Sequence, residues 1–187
     1  MTHAHFDHDA VDRLHTDMIM ERMAGIFKLA VVYCAGGGAG YHSSGAGMSA
    51  PSVIPTFRGA DGLWKKHRPE QLAAPEAFSA DPSLIWEWYD WRRQDVARRE
   101  PNRGHEVLAT WNQRRDQFTL ITQNVDGLHE RAGTHDVIRF HGFIWELRYW
   151  NECKASPNEW QNETVPLPTL PPHCSHYHGL ARPECCL

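Results

Sequence analysis

The spacing of apolar and polar positions changes several times along the chain, and each change predicts an element. Residues 10–24 read as a helix, and "IFKLAVVY" (26–33) as a buried strand rich in β-branched residues. Two glycine clusters follow, Gly36 to Gly40 and Gly45-Ala46-Gly47. "DPSLIWEWYDWRRQDVARRE" then predicts a helix, with Asp81 as its N-cap and Pro82 at its first position. Its aromatics Trp86, Trp88, Tyr89 and Trp91 recur too densely for one narrow face, and Pro101 closes it. "NRGHEVLATWNQRR" predicts a second helix with Val107, Leu108 and Trp111 inward. "FTLITQ" (118–123) is a strand, "VDGLHERAG" a short helix ending at Gly133, and "DVIRF" (136–140) another strand. Strands alternating with helices predict an α/β fold built on a parallel sheet with helices on both faces.

After Trp150 the periodicity is lost. The remaining stretch is rich in Pro, Asn and polar residues, and predicts a small loop-rich segment. The expected organisation is an N-terminal arm and helix over 1–25, a Rossmann-like core over 26–148, and a small module with a divergent tail over 149–187.

Composition narrows the classes. The chain has 187 residues, 41% hydrophobic and 22% charged, enough apolar content for a globular core. A net charge of −4 gives no basic footprint, so no nucleic-acid partner is expected. The basic clusters Lys65-Lys66-His67-Arg68, Arg92-Arg93 and Arg98-Arg99 read as solvated faces. No apolar run has the length of a membrane span. The first residues carry His3, His5, Asp7, His8, Asp9, Asp12 and Asp17, which fits a solvated arm and neither a secretory signal nor a mitochondrial presequence. Five cysteines (Cys34, Cys153, Cys174, Cys185, Cys186) make an odd, scattered set, as expected of reduced intracellular thiols. The expected compartment is the cytoplasm, with mitochondrion and nucleus left open.

In an open parallel sheet, ligands sit outside the carboxyl ends of the strands. Three predicted strands end in suggestive residues here. The first runs into glycines, where backbone amides can approach phosphate oxygens. The second ends in Gln123, Asn124 and Asp126, and the third at Phe140-His141-Gly142. Each alone also has a structural reading, since glycines turn, Asn and Asp cap helices, and a single histidine is often structural.

Taken in order, "GAGMSAPSVIPTFRGADGLW", "TQNVDGLHERAG" and "FHG" resemble the sirtuin family of NAD-dependent protein deacylases, over about residues 26–150. The resemblance implies roles. Gly45, Ala46, Gly47, Ser49 and Ala50 match the loop that holds the NAD phosphates. Pro55, Thr56, Phe57 and Arg58 match the mobile cofactor segment. Gln123, Asn124 and Asp126 match residues lining the nicotinamide and its ribose, and His141 matches the general base. The implied reaction takes an acyl-lysine protein or peptide and NAD to deacylated lysine, nicotinamide and O-acyl-ADP-ribose.

Tyr89 and Arg92, three apart on one helix face, suit a carboxylate ligand. "WEWYDWRR" resembles the sirtuin subgroup that removes succinyl, malonyl and glutaryl groups. The family also carries a structural zinc on two Cys-x2-Cys pairs. Here Tyr149 and Glu152 stand at the first pair, leaving Cys153 and Cys174, with His176 and His178, as an incomplete set.

After "GLARP" the sequence reads "ECCL", so the resemblance implies a partial sheet and a C-terminally truncated form. Two functions follow: an active deacylase, or a homologue that binds NAD or a protein partner without chemistry. A generic Rossmann dehydrogenase is disfavoured, because the acidic residue expected after its second strand is not recognisable. Of the two glycine clusters, the second is the expected phosphate loop, because only it carries the Ser, Pro and Phe-Arg sequel. "CAGGGAGYHS" would then intervene between strand and loop as an apparent insertion. Val53 stands where the family pattern has Gly.

Overall fold

The computed structural model describes residues 31–34, 40–56, 62, 72, 74–115, 118–151, 158–173 and 179–185. The expected helix over 10–24, and residues 26–30 of the expected strand 26–33, lie outside these residues. Chain order runs β1 (Val31–Cys34), β2 (Gly40–Ser44), α1 (Ala46–Ser49) with a 3-10 turn (Ala50–Ser52), α2 (Pro75–Ala80), α3 (Pro82–Ala97) and α4 (Arg103–Arg114). It continues through β3 (Phe118–Thr122), α5 (Leu128–Arg131), β4 (Ile138–Arg139), β5 (Glu146–Tyr149), β6 (Glu159–Gln161) and β7 (Ala181–Pro183).

The first sheet has the order β1-β2-β3-β4. Strands β2, β3 and β4 are parallel, as the sequence predicts, while β1 pairs with β2 antiparallel. This corrects the expectation for the strand that leads into the phosphate loop. That strand is "GYHSS", residues Gly40–Ser44, and it enters Gly45 directly. The expected strand survives as β1, an edge partner running the opposite way, with Val31 opposite Ser43 and Cys34 opposite Gly40. Residues 40–43 therefore belong to the parallel sheet and are no surface bulge.

Helix α3 forms as expected: Asp81 accepts from the Leu84 amide at 3.0 Å, and Pro82 follows at the first position. Its inward positions Ile85, Trp86, Tyr89, Arg92, Arg93 and Val96 recur every three or four residues, while Trp91 faces solvent. The Arg92-Arg93 pair is not a solvated face; both side chains are buried, Arg93 completely. A buried guanidinium needs hydrogen-bond acceptors. Arg93 finds the backbone oxygen of Asn162, its Oδ1 at 2.8 Å and Thr164 O at 3.3 Å, and lies over the Trp145 ring.

The stretch after β4 is more ordered than its sequence predicts. Strands β6-β5-β7 form a second sheet, antiparallel throughout, which begins at Glu146. Strands of three or four residues are too short to show alternation, which is why the pattern reads as loop. The larger core fills the space between α3 and this sheet, with Trp86, Leu128, Ile144 and Leu147 essentially inaccessible. Each such side chain contributes about 1.5–3 kcal/mol on burial. A smaller core of Leu108, Phe118 and Leu120, with Trp111 and Met48 against it, seats α4 on the first sheet.

Candidate functional site

The site is assembled where β2 and β3 end side by side. Ser44 O accepts from the Gln123 amide at 2.9 Å, so the pairing extends one residue past β3. Beyond that point Asn124 turns back toward the loop. Its Nδ2 donates to Gly45 O and to Ser49 Oγ, each at 3.0 Å, and its own amide donates to Thr122 Oγ1 at 3.0 Å. Ser49 Oγ in turn donates to Asp126 Oδ2 at 2.7 Å. Asp126 Oδ1 accepts from the Leu128 amide, and its backbone oxygen from Trp145 Nε1. Gly127 has φ +81°, and a Cβ there would lie 2.9 Å from the Phe143 ring, so this turn requires glycine on both counts.

Of the residues expected at the cofactor, Gly45, Ser49, Asn124 and Asp126 are thus joined in one network. Ala46, Gly47 and Ala50 lie in the same loop, with Gly47 and Ala50 exposed, while Gln123, Pro55 and Thr56 are half-buried. Phe57 and Arg58 lie outside the described residues. So do Cys153, Cys174, His176 and His178. Among the described residues no group of three or more His, Cys, Asp or Glu side chains could hold a metal ion.

Beneath the network lies a buried polar layer that sequence reasoning missed. Ser44 Oγ donates to Thr122 Oγ1 at 2.8 Å, which makes His129 Nε2, also at 2.8 Å, the donor to Ser44. The rings of His129 and His105 are 4.7 Å apart. Burial, with His105 nearby, pushes the His129 pKa down to about 3. Burial lowers the His105 pKa as well, against the opposing pull of Asp126 and Glu130. Asn102, also missed, caps α4 and reaches the loop; its position one residue before that helix was the available signal.

His141 follows β4 and faces a cavity of about 510 Å³ that it lines with Arg139, Phe140, Gly142, Glu146, Glu159 and Glu184. Its burial lowers its pKa below the ordinary histidine value. Gly142 has φ +75°, and a Cβ there would lie 2.0 Å from Glu184 Oε2 and 2.9 Å from Cys185 Cα. The Glu184–Cys185 segment therefore packs directly beside His141. Burial raises the Glu184 pKa, helped by Glu159 and Glu146 and opposed by the Phe143 amide and Arg148.

The same segment reaches α3. The Tyr89 hydroxyl donates to Cys185 O at 3.0 Å. Burial lowers the Arg92 pKa, while Asp126, Cys185, Tyr89 and Asp95 pull it back up. Tyr89 and Arg92 are both buried, and Tyr89 is tied to the segment that packs on Gly142.

The sequence profile of the Sir2 family matches residues 45–187. The chain belongs to the Sir2 family. It is 54% identical over 140 residues to the NAD-dependent protein deacylase of Aquifex aeolicus (strain VF5), covering 75% of this chain and 57% of that protein. It is 47% identical over 141 residues to NAD-dependent protein deacylase 1 of Caldanaerobacter subterraneus subsp. tengcongensis, with the same coverage. Among solved structures, a Sir2 homologue–NAD complex superposes with a TM-score of 0.66 at 44% identity, covering 77% of this chain and 55% of that one. A mutant Sir2 homologue in complex with ADP-ribose superposes at 0.69 and 43% identity, covering 77% of this chain and 56% of that one. The chain thus spans a little over half the length of these relatives, in the Rossmann-like α/β fold of the family. Strand β2 lies just before the profile match begins, which is where this Sir2 chain departs from the expected strand. Among the described residues no helix is long and apolar enough to cross a membrane.

Proposed function

We propose that this chain acts as an NAD-dependent protein-lysine deacylase that favours acidic acyl groups. The observation that carries the proposal is the Ser49–Asn124–Asp126 network, which ties the glycine loop to the end of β3 in a Sir2 chain. The residues present fit the cofactor. A Cβ built on Gly45 meets nothing within 4 Å among the described residues, which leaves room there for an approaching ligand. Gly45, Ala46, Gly47, Ser49 and Ala50 would hold phosphates, with Gln123, Asn124 and Asp126 at the nicotinamide and its ribose. Pro55, Thr56, Phe57 and Arg58 would close over them. NAD supplies a ribose carbon made electrophilic by loss of neutral nicotinamide.

His141 accepts a proton on a ring nitrogen from a hydroxyl brought to it. Its lowered pKa keeps it unprotonated at pH 7, and so free to accept that proton. Arg92, buried beside Tyr89, offers a desolvated guanidinium for an acyl carboxylate, with the Tyr89 hydroxyl as second donor. The substrates on this proposal are acyl-lysine proteins or peptides.

The test is to incubate the protein with NAD and a succinyl-lysine peptide and to look for nicotinamide and O-succinyl-ADP-ribose by mass. Product from the wild type and none from His141→Ala is the expected result. Its absence from well-folded wild type would favour the other reading, a homologue that binds NAD or a protein partner without chemistry.

A further inference from the structure

The start of α4 lies against the glycine loop. A Cβ on Gly104 would come within 2.8 Å of Met48 Sδ, so the helix start and the loop are in close contact here. Among the described residues, Asn102 supplies the polar donors across this junction. Asn102 Nδ2 donates to Met48 O at 2.8 Å and to Ser52 Oγ at 3.0 Å. Its Oδ1 accepts from the Gly104 amide at 2.9 Å, and its backbone amide donates to His105 Nδ1 at 3.2 Å. A capping box ordinarily closes with Glu or Gln at the third position; here His105 closes it.

Capping explains only half of this side chain. An N-cap needs an acceptor oxygen, and Ser, Asp or Asn serve about equally well. The amide nitrogen contributes nothing to the cap, and both of its contacts go to the loop. They fall at the two ends of its curved part, Met48 in α1 and Ser52 at the close of the 3-10 turn. Together with Asn124, which holds Gly45 O and Ser49 Oγ from the sheet side, Asn102 fixes the loop at four points.

We propose that Asn102 is a positioning residue for the cofactor loop: its amide nitrogen sets the Met48–Ser52 backbone, while its oxygen separately caps α4. The cofactor part of this statement rests on the proposed function; the loop part stands on the geometry alone.

The substitution Asn102→Asp separates the two roles. It keeps a good N-cap acceptor and removes both donors to the loop. The full chain and its variant would be compared by amide hydrogen exchange and by NAD titration. The expected result is exchange about tenfold faster at Met48–Val53, with Leu108–Trp111 of α4 unchanged, and an NAD dissociation constant raised about tenfold. Unchanged exchange at Met48–Val53 would overturn the proposal. Faster exchange with unchanged NAD affinity would also overturn it, since the loop would then be ordered without effect on the cofactor. Wild-type protein that binds no NAD would defeat the proposed function, and the exchange measurement would still decide whether Asn102 sets the loop. Should Asn102→Asp fold poorly, Ser52→Ala removes one acceptor from the opposite side and is expected to speed exchange at the same amides. No change there would count equally against the proposal.

Discussion

The Ser49 hydroxyl donates to Asp126 Oδ2 at 2.7 Å while accepting from Asn124 Nδ2 at 3.0 Å, so one oxygen joins the glycine loop to the end of β3. Both Ser49 and Asp126 are buried. Truncation to Ser49→Ala leaves a buried carboxylate oxygen without that donor, at a cost of about 1–3 kcal/mol. Urea unfolding should show a lower midpoint at unchanged slope. A midpoint equal to wild type would mean that Asp126 had found another donor, and that the network is not what holds the loop.

Val53 stands at the end of the same loop with φ +62°, and its side chain is 66% exposed. A β-branched residue is strained in the left-handed region, by about 1–3 kcal/mol, and an exposed side chain returns little packing. Glycine relieves the strain but loses more entropy on folding, so Val53→Gly should stabilise by about 1 kcal/mol net. Val53→Ala, which keeps a Cβ, should gain less. A destabilised Val53→Gly would show that the valine is making contacts that outweigh its backbone strain.

These two positions mark what the sequence disclosed and what it hid. Asp81 and Pro82 announced α3 because capping chemistry is local, and "FTLIT" announced β3 because its inward positions Phe118 and Leu120 are apolar. Strand β2 escaped notice because its inward side chains include His42 and Ser44, polar groups that cancel the alternation. The apolar run before it therefore took its place in the reading. Arg92-Arg93 read as surface because only tertiary structure supplies Asn162 and Thr164 to receive a buried guanidinium. The network residues Ser49, Asn124 and Asp126 were legible through motif resemblance. Asn102 and the layer of Ser44, Thr122 and His129 beneath them were not, because each is ordinary until the fold brings it to its partner.

His42 is buried against Phe118, with ring centroids 4.4 Å apart, and neither ring nitrogen has a partner among the described residues. Burial lowers its pKa, and the Arg115 charge lowers it further. With His105 and His129 it makes three buried imidazoles that resist protonation. The unfolded chain takes up protons below about pH 6.5 that the folded chain refuses. Stability is therefore full above that pH and falls as pH drops, for His129 until its folded pKa of about 3. Within that window His129 costs about 1.4 kcal/mol per pH unit, and His42 and His105 act in the same direction. His42→Leu should stabilise by about 1 kcal/mol at neutral pH, by removing an unsatisfied buried polar group, and by more at about pH 5. A gain that stays constant between those conditions would show that His42 does not titrate with unfolding.

On the proposed function, Tyr89 and Arg92 decide the acyl preference, and the Tyr89–Cys185 contact makes the test specific. The Tyr89 hydroxyl already serves Cys185 O, so a carboxylate competes with that carbonyl for the phenol but meets Arg92 as a charge. A charged acceptor forms the stronger hydrogen bond, about twice a neutral one, so the phenol should turn to it. Arg92→Met keeps an apolar body in a buried position and removes the charge. Desuccinylation should fall by at least about a hundredfold in kcat/KM, with deacetylation changed less than about fivefold, because an acetyl group has no carboxylate to lose. Tyr89→Phe should lower desuccinylation by about tenfold, mainly through KM, since a phenol that only helps hold the acyl group binds ground state and transition state alike. Equal losses on both substrates in Arg92→Met would place the guanidinium in the scaffold of α3 and remove the basis for an acidic-acyl preference.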